Sequence, residues 1–266
     1  MKKILITIGK VLIFFAGWAV LLSAGMFLIP DSLDAAIWRF LSELIPFLSV
    51  VIFTALFWLI EKRRIKLNIL LSPLKSAVTG ILAGVIWIGT AAAVLILSGT
   101  MKIVSYNSVP MLWLWALSVF INSAMQELLA RGYLYQMLKT DYNVAVAAII
   151  TTALFTFMHG GVFEAGVIPV VNVLTMSLLM TIVLEYTGSL IAPMIMHFIW
   201  NFTGGIILGG VVLADDYPNL YAVEFSGNIL LTGGTPKMEG SIVVLILNIL
   251  LIFVFALLNR KSKRKT

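Results

Sequence analysis

Apolar residues run along this chain in blocks of bilayer-crossing length, broken by short polar or charged connections. A helix rises about 1.5 Å per residue, so roughly 20 apolar residues cross a hydrocarbon core of about 30 Å. The blocks predict helices near 4–29, 40–60, 75–98, 110–139, 143–160, 167–186, 189–213 and 240–259. Continuous hydropathy rather than strand alternation dominates them. The expected fold is all-α: a polytopic membrane bundle of about eight transmembrane helices, forming a single integral membrane domain over 1–266. The first block follows Lys2 and Lys3 in the manner of a signal peptide. Its apolar run exceeds the roughly 7–15 residues of a signal core, so it reads as a retained span.

Charge fixes the expected orientation. The basic segments are the N-terminal MKK, the connection EKRRIKL at 61–67 and the C-terminal NRKSKRKT. With eight crossings all three fall on one side, which the positive-inside rule makes cytoplasmic, so both termini are expected there. Lys139 and Asp141 fall on that side too, and the loop 214–239, which starts acidic, falls outside. The chain is 61% hydrophobic and 11% charged, against about 25% charged in soluble domains. The expected location is therefore the cell membrane, with lipid as the surrounding partner. The net charge of +6 forms no continuous basic face, so nucleic acid is not an expected partner. Without cysteine, disulfides and thiolate metal sites are excluded.

Against this background, a few polar residues stand out. Both histidines of the chain lie inside apolar blocks, His159 closing the fifth and His197 within the seventh. The fourth block holds Gln126, Glu127 and Arg131. Ionisable groups at membrane depth are costly and tend to mark function. Glu127 and Arg131 are four residues apart, as are Phe155 and His159, and His197 and Asn201, so each pair shares a helix face. A hairpin folding about Asp141 would set residue 127 opposite 155, with His159 one turn on, about 6 Å by helical rise. Plainer readings exist for each residue alone. Glu127–Arg131 also serves as an intrahelical pair, a single intramembrane histidine as an interhelical hydrogen-bonding group, and Asn201 as helix glue.

Together the residues suit hydrolysis. A carboxylate in an apolar setting can act as general base on water, and a neutral histidine can hold that water or pass its proton. His197 and Asn201 can donate hydrogen bonds to a tetrahedral oxyanion. Alternatively Glu127, His159 and His197 match the His₂Glu set of a catalytic zinc. Asn201 is a poor zinc ligand, which leans toward the metal-free version without deciding it.

The three elements, in this order, resemble the CAAX protease and bacteriocin-processing (CPBP, or Abi) family of intramembrane proteases. That family has Glu-Glu-x-x-x-Arg on one helix, Phe-x-x-x-His on the next, and His-x-x-x-Asn or Asp two helices on. Here they read Gln126-Glu127-x-x-x-Arg131, Phe155-x-x-x-His159 and His197-x-x-x-Asn201, within a core of about 110–205. The resemblance implies an intramembrane endopeptidase acting on a membrane-associated, prenylated or leader-bearing peptide. Glu127, His159, His197 and Asn201 would be catalytic, with Gln126, Arg131 and Phe155 supporting them. Gln126 stands where the family has its first Glu, and an amide cannot take a proton. Either Glu127 substitutes, or hydrolysis has been lost and the chain is a non-catalytic bacteriocin self-immunity protein. A proton-coupled transporter is the third reading, for which the inverted repeats of many carriers are not seen.

Overall fold

The computed structural model describes residues 2–264; Met1, Lys265 and Thr266, at the tips of the basic termini, lie outside the described residues. In chain order the elements are α1 (Lys2–Met26), α2 (Ala35–Ile60), α3 (Pro73–Leu97), β1 (Met101–Tyr106), α4 (Leu112–Arg131), α5 (Tyr133–Asp141) and α6 (Val144–Met158). They continue with α7 (Val162–Ala165), α8 (Val167–Thr187), α9 (Ile191–Asn201), β2 (Tyr221–Phe225), α10 (Ile229–Thr232) and α11 (Ile242–Lys263). A π-helical turn, Phe202–Ile207, extends α9.

Each of the eight expected blocks contains a helix. Among the described residues, six helices are long and apolar enough to cross a membrane: α1, α2, α3, α4 continued by α5, α8 and α11. The chain is a multi-pass, all-α membrane protein. The fifth and seventh blocks are shorter than their hydropathy predicted. The 15 residues of α6 span about 22 Å, and α9 with its π-turn ends at Ile207. The fourth block is broken at Gly132, where a side chain would put its Cβ 2.2 Å from the Leu128 carbonyl oxygen. Only glycine fits that bend.

The residues fall into two compact units, one comprising residues up to Leu67 with Trp113–Thr151, the other Asn68–Leu112 with the chain from Thr152 onward. In the first, α1 packs along α2 through aromatic rings. Phe14 meets Phe57 edge-on at 5.5 Å and stacks on Tyr133 at 5.6 Å. Beyond the end of α2, Glu61 accepts hydrogen bonds of 2.6 Å from each of Lys10, Tyr133 and Arg64. Arg64 also pairs with Asp141 at 2.6 Å. Burial alone would raise the Glu61 carboxyl, but the three donors outweigh it and hold its pKa at about 2.

In the second unit α3 packs on α9 and α8 on α11. The core holds Trp87, Leu95, Leu179, Met180, Met196 and Trp200. Gly80 lets α3 approach α9 so closely that a Cβ there would lie 2.5 Å from the Ala192 carbonyl oxygen. Such small-residue contacts are how helices associate where no hydrophobic effect drives them together. Two connecting loops pair as antiparallel strands, β1 with β2, from Met101 opposite Phe225 to Tyr106 opposite Tyr221.

Candidate active site

In the first unit the last turns of α4 carry the acid and its partner. Arg131 Nη1 donates to Glu127 Oε1 at 3.2 Å, and both side chains are 0% exposed. A charge with no access to water needs such a partner, because removing an ion from water costs several kcal/mol even after the protein relaxes. The bend at Gly132 ends α4 directly after Arg131. Gln126 lies on a different face of α4 and enters another network. Its Nε2 donates to Asn122 Oδ1 at 2.8 Å, and Asn122 Nδ2 donates to Glu43 Oε2 at 2.7 Å. Arg39 Nη1 in turn donates to Glu43 Oε1 at 3.1 Å.

In the second unit the two histidines flank one ring. The centroid of Phe155 is 4.4 Å from that of His159 and 6.2 Å from that of His197. His159 lies just past the end of α6, in the turn before Gly160, and is partly accessible. Its Nδ1 is 2.8 Å from the Phe155 carbonyl oxygen. A carbonyl only accepts, so Nδ1 carries the hydrogen and the neutral ring keeps its lone pair on Nε2. That is the tautomer a proton acceptor needs. His197, 2% exposed, and the buried Asn201 share α9, and Asn201 is its last α-helical residue. The π-turn begins at the next residue, an irregularity that recurs at functional sites. Within each unit, among the described residues, no three His, Asp or Glu side chains gather as metal ligands, so neither unit alone supplies the three-residue donor set of a zinc site.

Residues 108–203 match the family model for type II CAAX prenyl endopeptidase Rce1-like proteins. Over that segment, about a third of the chain, the sequence is similar to this family. The matched segment contains all three motifs, from Gln126 to Asn201. At family level, Rce1-like proteins are CAAX-type intramembrane proteases, which work in lipid on peptide substrates. No curated protein and no solved structure matches the chain significantly.

Sequence reasoning passed over several residues around these motifs. Glu43 is an acid inside the second apolar block, and the rule that singled out Glu127 applies to it equally. Its link to Gln126 runs through a contact 79 residues away in sequence, which no periodicity reveals. Glu239, in the turn before α11, accepts a hydrogen bond of 3.3 Å from Trp200 Nε1, beside Asn201. Burial pushes the Glu239 carboxyl up to about 7, while the Trp200 donor pulls the other way. Trp200 is also stacked on Trp87, 4.0 Å between centroids.

Proposed function

We propose that this chain is an intramembrane endopeptidase that hydrolyses a membrane-associated peptide, prenylated or leader-bearing, at the membrane. Glu127 and His159 are assigned to the water, and His197 and Asn201 to the oxyanion. In this reading the base takes one proton from water, and the resulting hydroxide attacks the scissile carbonyl carbon. Hydrogen bonds from His197 and Asn201 stabilise the charge that develops on the carbonyl oxygen. The C–N bond then breaks, and the amine leaves with the proton. The observation that carries the reading is that both histidines of the chain flank Phe155 inside a segment matching a protease family. The Nδ1–H tautomer of His159, with a basic Nε2, supports its role.

The test is cleavage of a membrane-anchored peptide by the purified, reconstituted protein. Glu127→Ala, His159→Ala and His197→Ala are each expected to abolish cleavage while the protein stays in the membrane. Unchanged cleavage by His159→Ala rejects the assignment.

The amide at position 126 favours one second reading, a non-catalytic self-immunity protein that binds or shields a target. In that case protection of cells against a bacteriocin survives the loss of both histidines.

A further inference from the structure

Three spans of the second unit, α3, α8 and α11, each bring one polar side chain to a shared small cavity. They are Trp87, Asn172 and Asn248, with exposures of 1, 3 and 0%. Glu239, Trp200 and Val244 line the cavity too. The two amides have fixed orientations. Asn172 Nδ2 donates to the carbonyl oxygens of Glu239 at 2.7 Å and Ser241 at 3.0 Å. Asn248 Nδ2 donates to the Asn172 carbonyl oxygen at 3.3 Å and to Thr175 Oγ1 at 3.0 Å. A carbonyl oxygen only accepts, so each NH₂ must face those carbonyls and each Oδ1 must turn away from them. Asn172 Oδ1 and Asn248 Oδ1 are buried and have no hydrogen-bond partner among the described residues, and neither has Trp87 Nε1. One donor and two acceptors thus meet at a single cavity, and none of them bonds another directly.

Side chains buried between spans have no bulk water to turn to, so each such group carries the cost of a lost hydrogen bond. The cavity measures about 10 Å³. That is close to the smallest space that takes one water, and too small for a larger molecule. Chemistry selects among occupants of that size. An alkali cation takes oxygen ligands but would meet the positive hydrogen on Trp87 Nε1. A water supplies what each wall group lacks: a lone pair for the indole and two hydrogens for the two amide oxygens. Three bonds are also the usual complement of a buried water. Glu239 Oε1 is already occupied by the Trp200 indole at 3.3 Å. We infer that this cavity is a binding site for one resident water, which accepts from Trp87 Nε1 and donates to Asn172 Oδ1 and Asn248 Oδ1. The water joins α3 to the α8–α11 pair. By fixing the Trp87 indole it also holds the ring that stacks on Trp200 of α9, 4.0 Å between centroids. The site does not depend on the hydrolytic reading.

The experiment is nuclear magnetic resonance on the full chain in detergent micelles, with isotope-labelled indole nitrogens. The chain has seven tryptophans, and Trp87→Phe, which keeps a ring for Trp200 to stack on, assigns the Trp87 signal by its loss. In the parent the Trp87 indole hydrogen is expected to show a cross-peak to water, with the sign of a water that stays bound longer than the protein takes to tumble. Absence of that cross-peak overturns the site. Asn248→Leu removes one acceptor at nearly constant volume. The cross-peak is then expected to vanish, and the indole hydrogen to shift upfield toward the position of an unbonded indole. An unchanged cross-peak overturns the three-way bridge. If Asn248→Leu does not fold, Val244→Ile gives the same reading, since it keeps every polar partner and adds a methyl at the cavity wall; a cross-peak that survives it overturns the site. Exchanging the sodium and potassium of the buffer for choline is expected to leave the Trp87 signal in place. A shift on that exchange marks a cation in the cavity and overturns the water.

Discussion

Replacing Glu239 by Gln isolates one half-buried carboxyl that meets Trp200 of α9. Glu239 is mostly withdrawn from water and meets Trp200 Nε1 at 3.3 Å. Its pKa rises from the ordinary 4.5 to about 7, chiefly through burial. The folded chain therefore binds this proton more tightly than the unfolded chain does. Stability from this group is complete below pH 4.5, falls as pH rises, and is lost once pH passes about 7. At about 1.36 kcal/mol per pH unit, the displacement corresponds to ~3 kcal/mol. Partial access to water reduces that toward ~1 kcal/mol. The Gln side chain keeps an oxygen for Trp200 and carries no proton to lose. The assay is denaturant or thermal unfolding in detergent from pH 4.5 to 7.5, on the parent and Glu239→Gln in parallel. Every other titrating group is common to both proteins, so the difference between their curves reports residue 239 alone. The parent is expected to lose ~1–3 kcal/mol relative to the variant across this window and to be the less stable protein at pH 7.5. Parallel curves, or a variant that is less stable at pH 7.5, refute the argument that this carboxyl is forced neutral by its surroundings.

Two further perturbations probe the elements that hold the acid. Gly132→Ala pushes a methyl to 2.2 Å from the Leu128 carbonyl oxygen, so the bend must open; a loss of about 1–3 kcal/mol is expected in unfolding, and an unchanged midpoint contradicts the tight bend. Arg131→Met leaves Glu127 buried without its cation and is expected to cost about 3–5 kcal/mol; adding Glu127→Gln to the same chain should recover a large part, whereas simple additivity of the two losses denies that the pair acts as a unit.

How far these features were legible in the sequence depends on the range of the interaction. Apolar block length gave the helices, because a bilayer crossing is a local, countable property. The i, i+4 spacing of Glu127 and Arg131 gave their contact, because both lie on one uninterrupted helix. The break at Gly132 escaped because hydropathy averages over it, and a lone glycine in an apolar run usually stays helical. The shortening of α6 came from the Gly160–Gly161 turn, and that of the seventh span from the π-turn, neither of which changes mean hydropathy. Glu43–Asn122–Gln126 and Trp200–Glu239 escaped because each joins residues distant in sequence.

The paired loops also escaped, since a six-residue strand between two spans has no partner that local pattern can name. Their pairing nevertheless tests the orientation argument in a way that charge counting does not. Strands β1 and β2 must lie on the same side of the bilayer to exchange hydrogen bonds. Counting eight crossings, β1 follows the third and β2 the seventh. If the short helices α6 and α9 fail to cross, the count drops to six, and β2 follows the fifth. Either way both strands follow an odd number of crossings and both termini fall together on the opposite side. A count that made just one of the short helices a crossing would separate β1 from β2 by the membrane and is excluded. The basic segments at the two ends of the chain and at 61–67 then share one face, as the positive-inside rule demands, whether or not α6 and α9 reach through.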